Sequence, residues 1–426
     1  MVPSRTSTYR RFLYASLGFV GLLGVALRVE ALAGLALGGF ALLLVAWRQA
    51  RAQLDGLTVA RELYPSAFED DTVAVSLALD NRSRRPAWLV EIGDCFGPAV
   101  ADRQAMLEPG PLRGSRRRRL TYRTTCSRPW GIHAVGPLTL AASDAFGLFH
   151  AERSLPDVAA FAVFPRVWTV SGLEKLGARP SLSPREATSP RPGQSLAYLG
   201  VRDYRSGDDL RRIHWPATAR RGTPTVKEHE VDLVPYFTLF VDLDRAHRAG
   251  TGLKSTLEYL VRTAACVVWT AARRGDLVQV MGEGARSLVV APGAGTLHAT
   301  LALYELIRVQ QDGRVPLLEL VEQHRMHLPG GSTAALLAGT IFLDLAQLED
   351  TLAALQARGV RPAVLLVNKD SFLPIDRRAA PREEAAEQAH AVVALLRARD
   401  IPGTILAAEQ DLEAELARPD LLGDPS

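Results

Sequence analysis

The sequence predicts a multidomain α/β chain: an N-terminal transmembrane helical hairpin, a β-sandwich-like segment, and a C-terminal doubly wound, mainly parallel sheet. Three observations carry this. Two uncharged apolar runs lie side by side at the start, short runs alternating at a period of two follow, and beyond residue 235 apolar strand-like runs alternate with helical ones. A length of 426 residues exceeds one ordinary domain. With 47% hydrophobic and 23% charged residues, wholesale disorder is excluded. A net charge of +4 is too small to mark a nucleic-acid binder. Cys95, Cys126 and Cys266 are too few and too scattered for a disulfide framework or a zinc site, which favours a reducing compartment. Cys266 falls in an apolar run and reads as a small core residue.

Residues 1–52 form the expected hairpin. Phe12 to Leu27 and Ala31 to Trp47 carry no charge, and only Arg28, Val29 and Glu30 separate them. Each run is near the short end of the roughly 17 to 25 residues that span a bilayer as a helix. A cleaved signal peptide explains the first run but not the second. Tyr9 and Trp47 suit interfacial anchoring. Arg5, Arg10 and Arg11 precede the hairpin and Arg48 and Arg51 follow it, so the positive-inside rule places both ends in the cytoplasm. The expectation is an inner-membrane protein with two helices and cytosolic soluble domains.

Residues 53–170 read as strands with Pro, Gly and Asn punctuation. Thr72 to Leu79 alternates and ends in the turn pair Asp80-Asn81; Ala87 to Ile92, Arg118 to Thr124 and Gly136 to Ala141 are similar. This spacing suits a small β-sandwich. Arg116 to Arg119, with Tyr122, Arg123, Arg128 and Trp130, reads first as a solvated strand edge, then as a contact for anionic lipid, and least as a nucleic-acid surface. Residues 171–199, rich in Pro, Ser and Arg, read as an extended linker.

Residues 200–426 open with a dense charged stretch. Arg202, Arg205, Arg211, Arg212, Arg220 and Arg221 mix with Asp203, Asp208 and Asp209, while Tyr204, Ile213 and Trp215 supply apolar anchors. Such a stretch can build an arginine–carboxylate network that fixes a loop, or hold a phosphate or an acidic partner. Asp209 with His214 could do general-base work, but no nucleophile is marked beside them, so a structural or partner-binding role is preferred.

Strands are then expected at Tyr236–Asp242, Asp276–Met281, Ser287–Ala291, Gly339–Asp344, Pro362–Val367 and Gly403–Ala407. Helices are expected at Lys254–Arg274, Thr296–Gln310, Leu317–His327, Leu345–Arg358 and Arg382–Arg399. Ligands of such sheets bind outside the carboxyl ends of the strands, where this reading puts Asp242 and Asp344. His324 and His327 lack a third ligand and the Glu of a metalloprotease motif. Gly282-Glu-Gly284 and Gly293-Ala-Gly295 lack the Lys and Ser/Thr of a P-loop, which argues against ATP hydrolysis.

Two stretches together resemble the family called domain of unknown function 58. Asp144-Ala-Phe-Gly-Leu-Phe149 is similar to its "DPFGLF" segment, with Ala145 in place of Pro. Arg202, Tyr204, Gly207, Asp208, Arg211, Arg212, Trp215 and Arg220, continued by Lys227 and Glu230, resemble its signature, although Pro216 stands where a basic residue is frequent. The resemblance implies a bacterial membrane protein ending in a von Willebrand factor type A-like fold. It also implies partnership with a MoxR-type AAA+ ATPase, with a transglutaminase-like membrane protein nearby. Metal-binding type A domains look like D-x-S-x-S after the first strand; here Asp242 keeps the first position, Asp244 replaces the first Ser, and Ala246 removes the second hydroxyl. Asp344 could add a distant carboxylate, so a degenerate Mg²⁺ site on Asp242, Asp244 and Asp344 is the alternative, as a metal-dependent hydrolase or ligand sensor. The leading expectation is a membrane-anchored, non-enzymatic adaptor.

Overall fold

The computed structural model describes residues 5–101, 103–108, 110–114, 116–170, 198–205, 210, 213–229, 235–374, 382–408 and 410–417. Its chain divides into two compact units, Met1–Arg166 and Val167–Ser426.

The first unit begins with two helices, α1 (Arg5–Leu27) and α2 (Glu30–Leu54). At 1.5 Å per residue they are about 35 and 38 Å long, and both are apolar enough to cross a membrane. Arg28 turns the chain at φ 51°, and the Val29 amide donates to the Gly24 carbonyl at 2.9 Å. Gly24 permits the close crossing, because a Cβ there would stand 2.7 Å from the Ala33 nitrogen.

The rest of this unit is a pair of sheets. β1 (Leu57–Glu62), β3 (Thr72–Asn81) and β6 (Arg116–Thr125) form one, all antiparallel. The other has the order β2 (Ser66–Phe68), β9 (Ala159–Phe164), β7 (Gly131–Ser143), β4 (Val90–Phe96), β5 (Arg103–Glu108), with β8 (His150–Leu155) also on β7. Val75, Leu77 and Leu79 from the first sheet share a core with Ile92, Phe96, Leu138 and Leu140 from the second. The period-two alternation of β3 therefore marks its inward face. The strand expected at Ala87 starts later, at Val90. Leu89 takes φ 51°, outside the β region, and Ala87 makes only an isolated bridge to Leu112.

In the second unit β10 (Tyr198–Asp203) pairs antiparallel with β11 (Thr225–His229) around the short helix α3 (Trp215–Arg221). The main sheet has the order β16 (Leu288–Gly293), β15 (Leu277–Gly282), β12 (Tyr236–Val241), β17 (Thr333–Ala338), β18 (Arg361–Val367), β19 (Gly403–Leu406). Neighbours are parallel except for the antiparallel edge pair β15–β16. A hairpin of β13 (Gly250–Thr251) and β14 (Lys254–Ser255) leads into α4 (Thr256–Arg274), whose Ser255 hydroxyl caps it by accepting from the Glu258 amide. Phe240, Leu336, Ala338, Val364 and Leu366 pack with α6 (Leu317–His324), α7 (Leu345–Ala357) and α8 (Arg382–Ala398). Leu239, Val241, Leu337, Ala363 and Val367 point the other way and are equally buried, and α4 packs against β12, β15, β17 and β18. Burial on both faces explains why these strands read as continuous apolar runs. Helices α5 (Gly295–Leu306) and α9 (Leu412–Leu416) complete the unit.

One strand is displaced from its expected position. Gly339–Asp344 is loop, and the strand is Thr333–Ala338, every residue of which is buried. Its Thr-Ala-Ala-Leu-Leu-Ala sequence lacks the β-branched density that marks a strand, so tertiary burial overrides propensity here.

Candidate functional site

Asp242 follows β12 at the carboxyl end of the sheet, and its amide donates to the Leu337 carbonyl at 2.9 Å. The side chain is sealed inside. Its Oδ1 accepts from the Asp244 amide at 3.0 Å, and Oδ2 accepts from the Gly339 amide at 2.8 Å. His247 brings Nδ1 to within 2.6 Å of the same Oδ2. Three polar groups thus satisfy a carboxylate that is 1% exposed. Gly339 is needed for this approach, since a Cβ there would meet His247 Cβ at 3.0 Å and Gln311 Nε2 at 3.1 Å. Gln311 is buried; its Oε1 accepts from the Thr256 hydroxyl at 2.9 Å, and its Nε2 has no hydrogen-bond partner.

The other two candidate ligands are committed locally. Asp244 Oδ1 accepts from the Ala246 amide at 2.9 Å and caps the 3-10 turn Arg245–His247. Asp344 caps α7, accepting from the amides of Ala346 and Gln347 at 3.0 and 3.2 Å. It stands six positions beyond the end of β17, because the expected strand that placed it at the sheet edge is loop. Among the described residues no group of three His, Cys, Asp or Glu side chains is arranged to hold a metal ion. The donor set does not fit a divalent cation either. Both Asp242 oxygens are occupied by N–H donors or imidazole, and Ala246 offers no hydroxyl.

The charged stretch surrounds α3. His214 caps that helix, its Nδ1 accepting from the Ala217 amide at 3.1 Å, and Gly222 closes it at φ 71°. A ring nitrogen spent on a backbone amide is not a free general base, and Asp209 lies outside the described residues. The buried Thr225 amide donates to the Thr218 hydroxyl at 3.0 Å, tying α3 to β11. Arg202 and Lys227 sit on the paired strands β10 and β11, and Arg202 donates to the Asp203 carbonyl at 3.2 Å. Tyr204 and Ile213 are half-buried, as anchors should be. Trp215 is different: it is 69% exposed, and Leu210, five residues upstream, is 65% exposed. Arg220 is exposed in the last turn of α3. Gly207, Asp208, Arg211, Arg212 and Glu230 lie outside the described residues, as does 171–197 of the expected linker.

Two further motifs acquire structural roles. Asp144 is fully buried between β7 and β8; its carboxylate accepts from the amides of Phe146 and Phe149 at 3.0 and 2.6 Å, around Gly147 at φ 67°. The turn delivers Phe149 into a cluster with Leu43, Ala46 and Ala50 of α2. Arg116–Arg119 are exposed on the edge strand β6, where Arg117 and Arg119 reach Glu62 at 3.4 and 2.8 Å.

Sequence reasoning missed a buried polar network in the sandwich. Arg61 and Asp94 form a buried ion pair at 2.6 Å, and the Tyr122 hydroxyl donates to Asp94 Oδ2 at 2.7 Å. Burial, the Asp94 hydrogen bond and its charge push the Tyr122 phenol far above its usual range. Burial also pushes the thiols of Cys126 and Cys266 up, to about 11 and about 12.

The family model described as "Protein of unknown function DUF58" matches residues 200–395. No curated protein matches the chain. Among solved structures, a mutant β-glucosidase from Listeria innocua in complex with laminaribiose is 12% identical at TM-score 0.17, covering 25% of this chain, which spans only 16% of the enzyme. The CARDB domain of PF1109 from Pyrococcus furiosus is 12% identical at TM-score 0.19, covering 26% of this chain and 94% of that domain. The DNA glycosylase AlkC from Pseudomonas fluorescens is 15% identical at TM-score 0.18, covering 28% of this chain and 34% of its own.

Proposed function

Residues 200–395 belong to the DUF58 family, and from that premise we propose that the chain is a membrane-anchored, non-enzymatic adaptor that presents a folded surface to protein partners. The observation that carries this reading is Trp215, a large aromatic residue on the family signature that is 69% exposed while its neighbours Tyr204 and Ile213 are half-buried. An exposed Trp in a stretch that also exposes Leu210 and Arg220 has the composition of an interface anchor. The closed state of Asp242 supports a binding role over a chemical one, since the carboxylate is 1% exposed and three of its acceptor positions are already taken by Asp244, Gly339 and His247.

Helices α1 and α2 supply the anchor in this reading, with both ends and the soluble units in the cytoplasm at the inner membrane. The C-terminal unit is read as von Willebrand type A-like, from its parallel strand order and the Asp that follows its first strand. The partner is a MoxR-type AAA+ ATPase, with a transglutaminase-like membrane protein as a further companion. A metal-dependent hydrolase on Asp242, Asp244 and Asp344 would first have to release the hydrogen bonds these carboxylates make.

The test is a detergent pull-down of the full-length protein, with and without ATP, beside Trp215→Ala. Recovery of an AAA+ ATPase by the native chain and its loss with the folded variant is the expected result. Equal recovery by the variant removes the signature from the interface. No ATPase under any condition, with the bait folded, rejects the adaptor reading.

A further inference from the structure

Where α2 meets the sandwich there is an open cavity of about 650 Å³ lined by the last turns of α2 and by the loop after β3. Its polar wall is unusual. Arg48, Arg51 and Arg85 all border it, against a single carboxylate, Asp55. All three arginines are exposed, and among the described residues none is paired with a carboxylate. Its apolar wall holds Trp47 and Trp88, 36% and 48% exposed. Arg51 lies over the Trp47 ring, 4.4 Å from its centroid, which holds that guanidinium at the rim.

The loop is fastened against the helix. Asn81, fully buried, donates to the Arg85 carbonyl at 2.9 Å and accepts from the Ser83 amide at 3.0 Å. Trp88 donates its amide to Gln53 Oε1 at 2.6 Å, and Gln53 Nε2 reaches the Ser143 carbonyl at 3.0 Å. Arg85 and Trp88 are thereby positioned beside Arg48 and Arg51 by buried side chains of both elements. The cavity lies where the apolar run of α2 ends, with Val45 on its wall and Arg48 one residue after Trp47.

Clustered guanidinium groups beside aromatic rings, at the end of a spanning helix, have the chemistry of a phospholipid headgroup site: fork-shaped donors for a phosphate, and indoles at the level of the glycerol backbone. We propose that this cavity binds one anionic phospholipid of the cytoplasmic leaflet, its phosphate held by Arg48, Arg51 and Arg85 and its upper acyl chain lying along Val45 and Trp88. The proposal rests on the membrane reading of α1 and α2, and it adds a ligand that the adaptor reading does not require.

The experiment titrates full-length protein in mild detergent with phosphatidylglycerol and follows lipid adducts by native mass spectrometry. Phosphatidylcholine and glycerol phosphate serve as controls for charge and for the acyl chains. The native protein is expected to retain one phosphatidylglycerol in preference to phosphatidylcholine, and to ignore glycerol phosphate at the same concentration. Arg48→Gln/Arg51→Gln/Arg85→Gln should weaken retention on the order of a hundredfold, about fivefold per charge. Because all three side chains are exposed, the variant keeps its fold, which circular dichroism checks. Equal retention of the two lipids, or an unchanged affinity in the variant, overturns the proposal. Glycerol phosphate binding as tightly as the lipid overturns it too, since the site would then serve a soluble phosphate. Alkaline carbonate extraction of cell membranes reads the anchor independently: release of the protein rejects the membrane reading, whatever the lipid titration gives.

Discussion

Asp94 in the first unit and Asp242 in the second are both 1% exposed, yet they are closed by different chemistry. Asp94 is held by a full counter-charge, Arg61, and by the phenol of Tyr122, whereas Asp242 is held by two backbone amides and an imidazole. A buried ion pair is poorly tolerant of losing one member, because the survivor is left charged in a dry interior. The two backbone amides that hold Asp242 are neutral donors, and they are what its removal leaves unpaired in the interior. The sandwich core is therefore the brittle region and the sheet end the forgiving one, although the two carboxylates are equally deep.

The largest effect should come from breaking the ion pair. Asp94→Ala leaves Arg61, among the described residues, with the half-exposed Asp157 at 3.6 Å as its carboxylate and should cost about 3–5 kcal/mol in guanidinium chloride unfolding. A loss below about 1 kcal/mol would mean that Asp157 and the Val135 carbonyl, 3.2 Å from Arg61, suffice, and the contrast would fail. Asp242→Ala should cost less, about 2–3 kcal/mol, because the amides of Asp244 and Gly339 lose their acceptor. His247→Ala should cost about 1 kcal/mol, since that ring is partly exposed.

A fourth expectation sharpens the comparison by pH. The Tyr122 phenol and the Cys126 and Cys266 thiols are all raised in the folded state. Unfolded chains then release these protons first, so the stability they contribute is whole below pH 9.0 and is lost as pH rises toward about 11 and about 12 for the two thiols. Tyr122 adds a loss that begins near its ordinary value of 10.0. Denaturation at stepped alkaline pH should show this fall, with a shallower slope in Tyr122→Phe; the same slope in both would remove the tyrosine from the network. The smallest effect belongs to Trp215→Ala, which should change stability by less than about 0.5 kcal/mol, measured by the same unfolding curve. A larger loss would show that Trp215 packs within its own unit, contrary to its exposure.

What was legible in the sequence was whatever a local period records. The paired apolar runs became α1 and α2, the alternation at Thr72 became β3, and Tyr236–Val241 became a central parallel strand. Contacts between residues far apart in sequence left no such mark. Arg61, Asp94 and Tyr122 meet across separations of 33 and 28 residues, on strands whose register nothing local encodes. At the sheet end the Asp242 position was legible, but its partner was not. His247 is five residues away, whereas the type A pattern points to hydroxyls at the intervening positions and not to an imidazole beyond them. Gly339 shows the same limit: its apolar surroundings in sequence predict a strand, while its use is to bring an amide to Asp242 just past the strand's end.

The junction after α2 has a mechanical consequence. Only Asp55 and Gly56, at φ 80°, separate the helix from β1, and Gln53 is clamped to the Trp88 amide and the Ser143 carbonyl. The short joint and the Gln53 clamp tie the end of α2 to the sandwich at two separate points. Were the helices to tilt in a bilayer, these ties would carry that tilt to the sandwich, like the pointer of a gauge whose spindle is the hairpin.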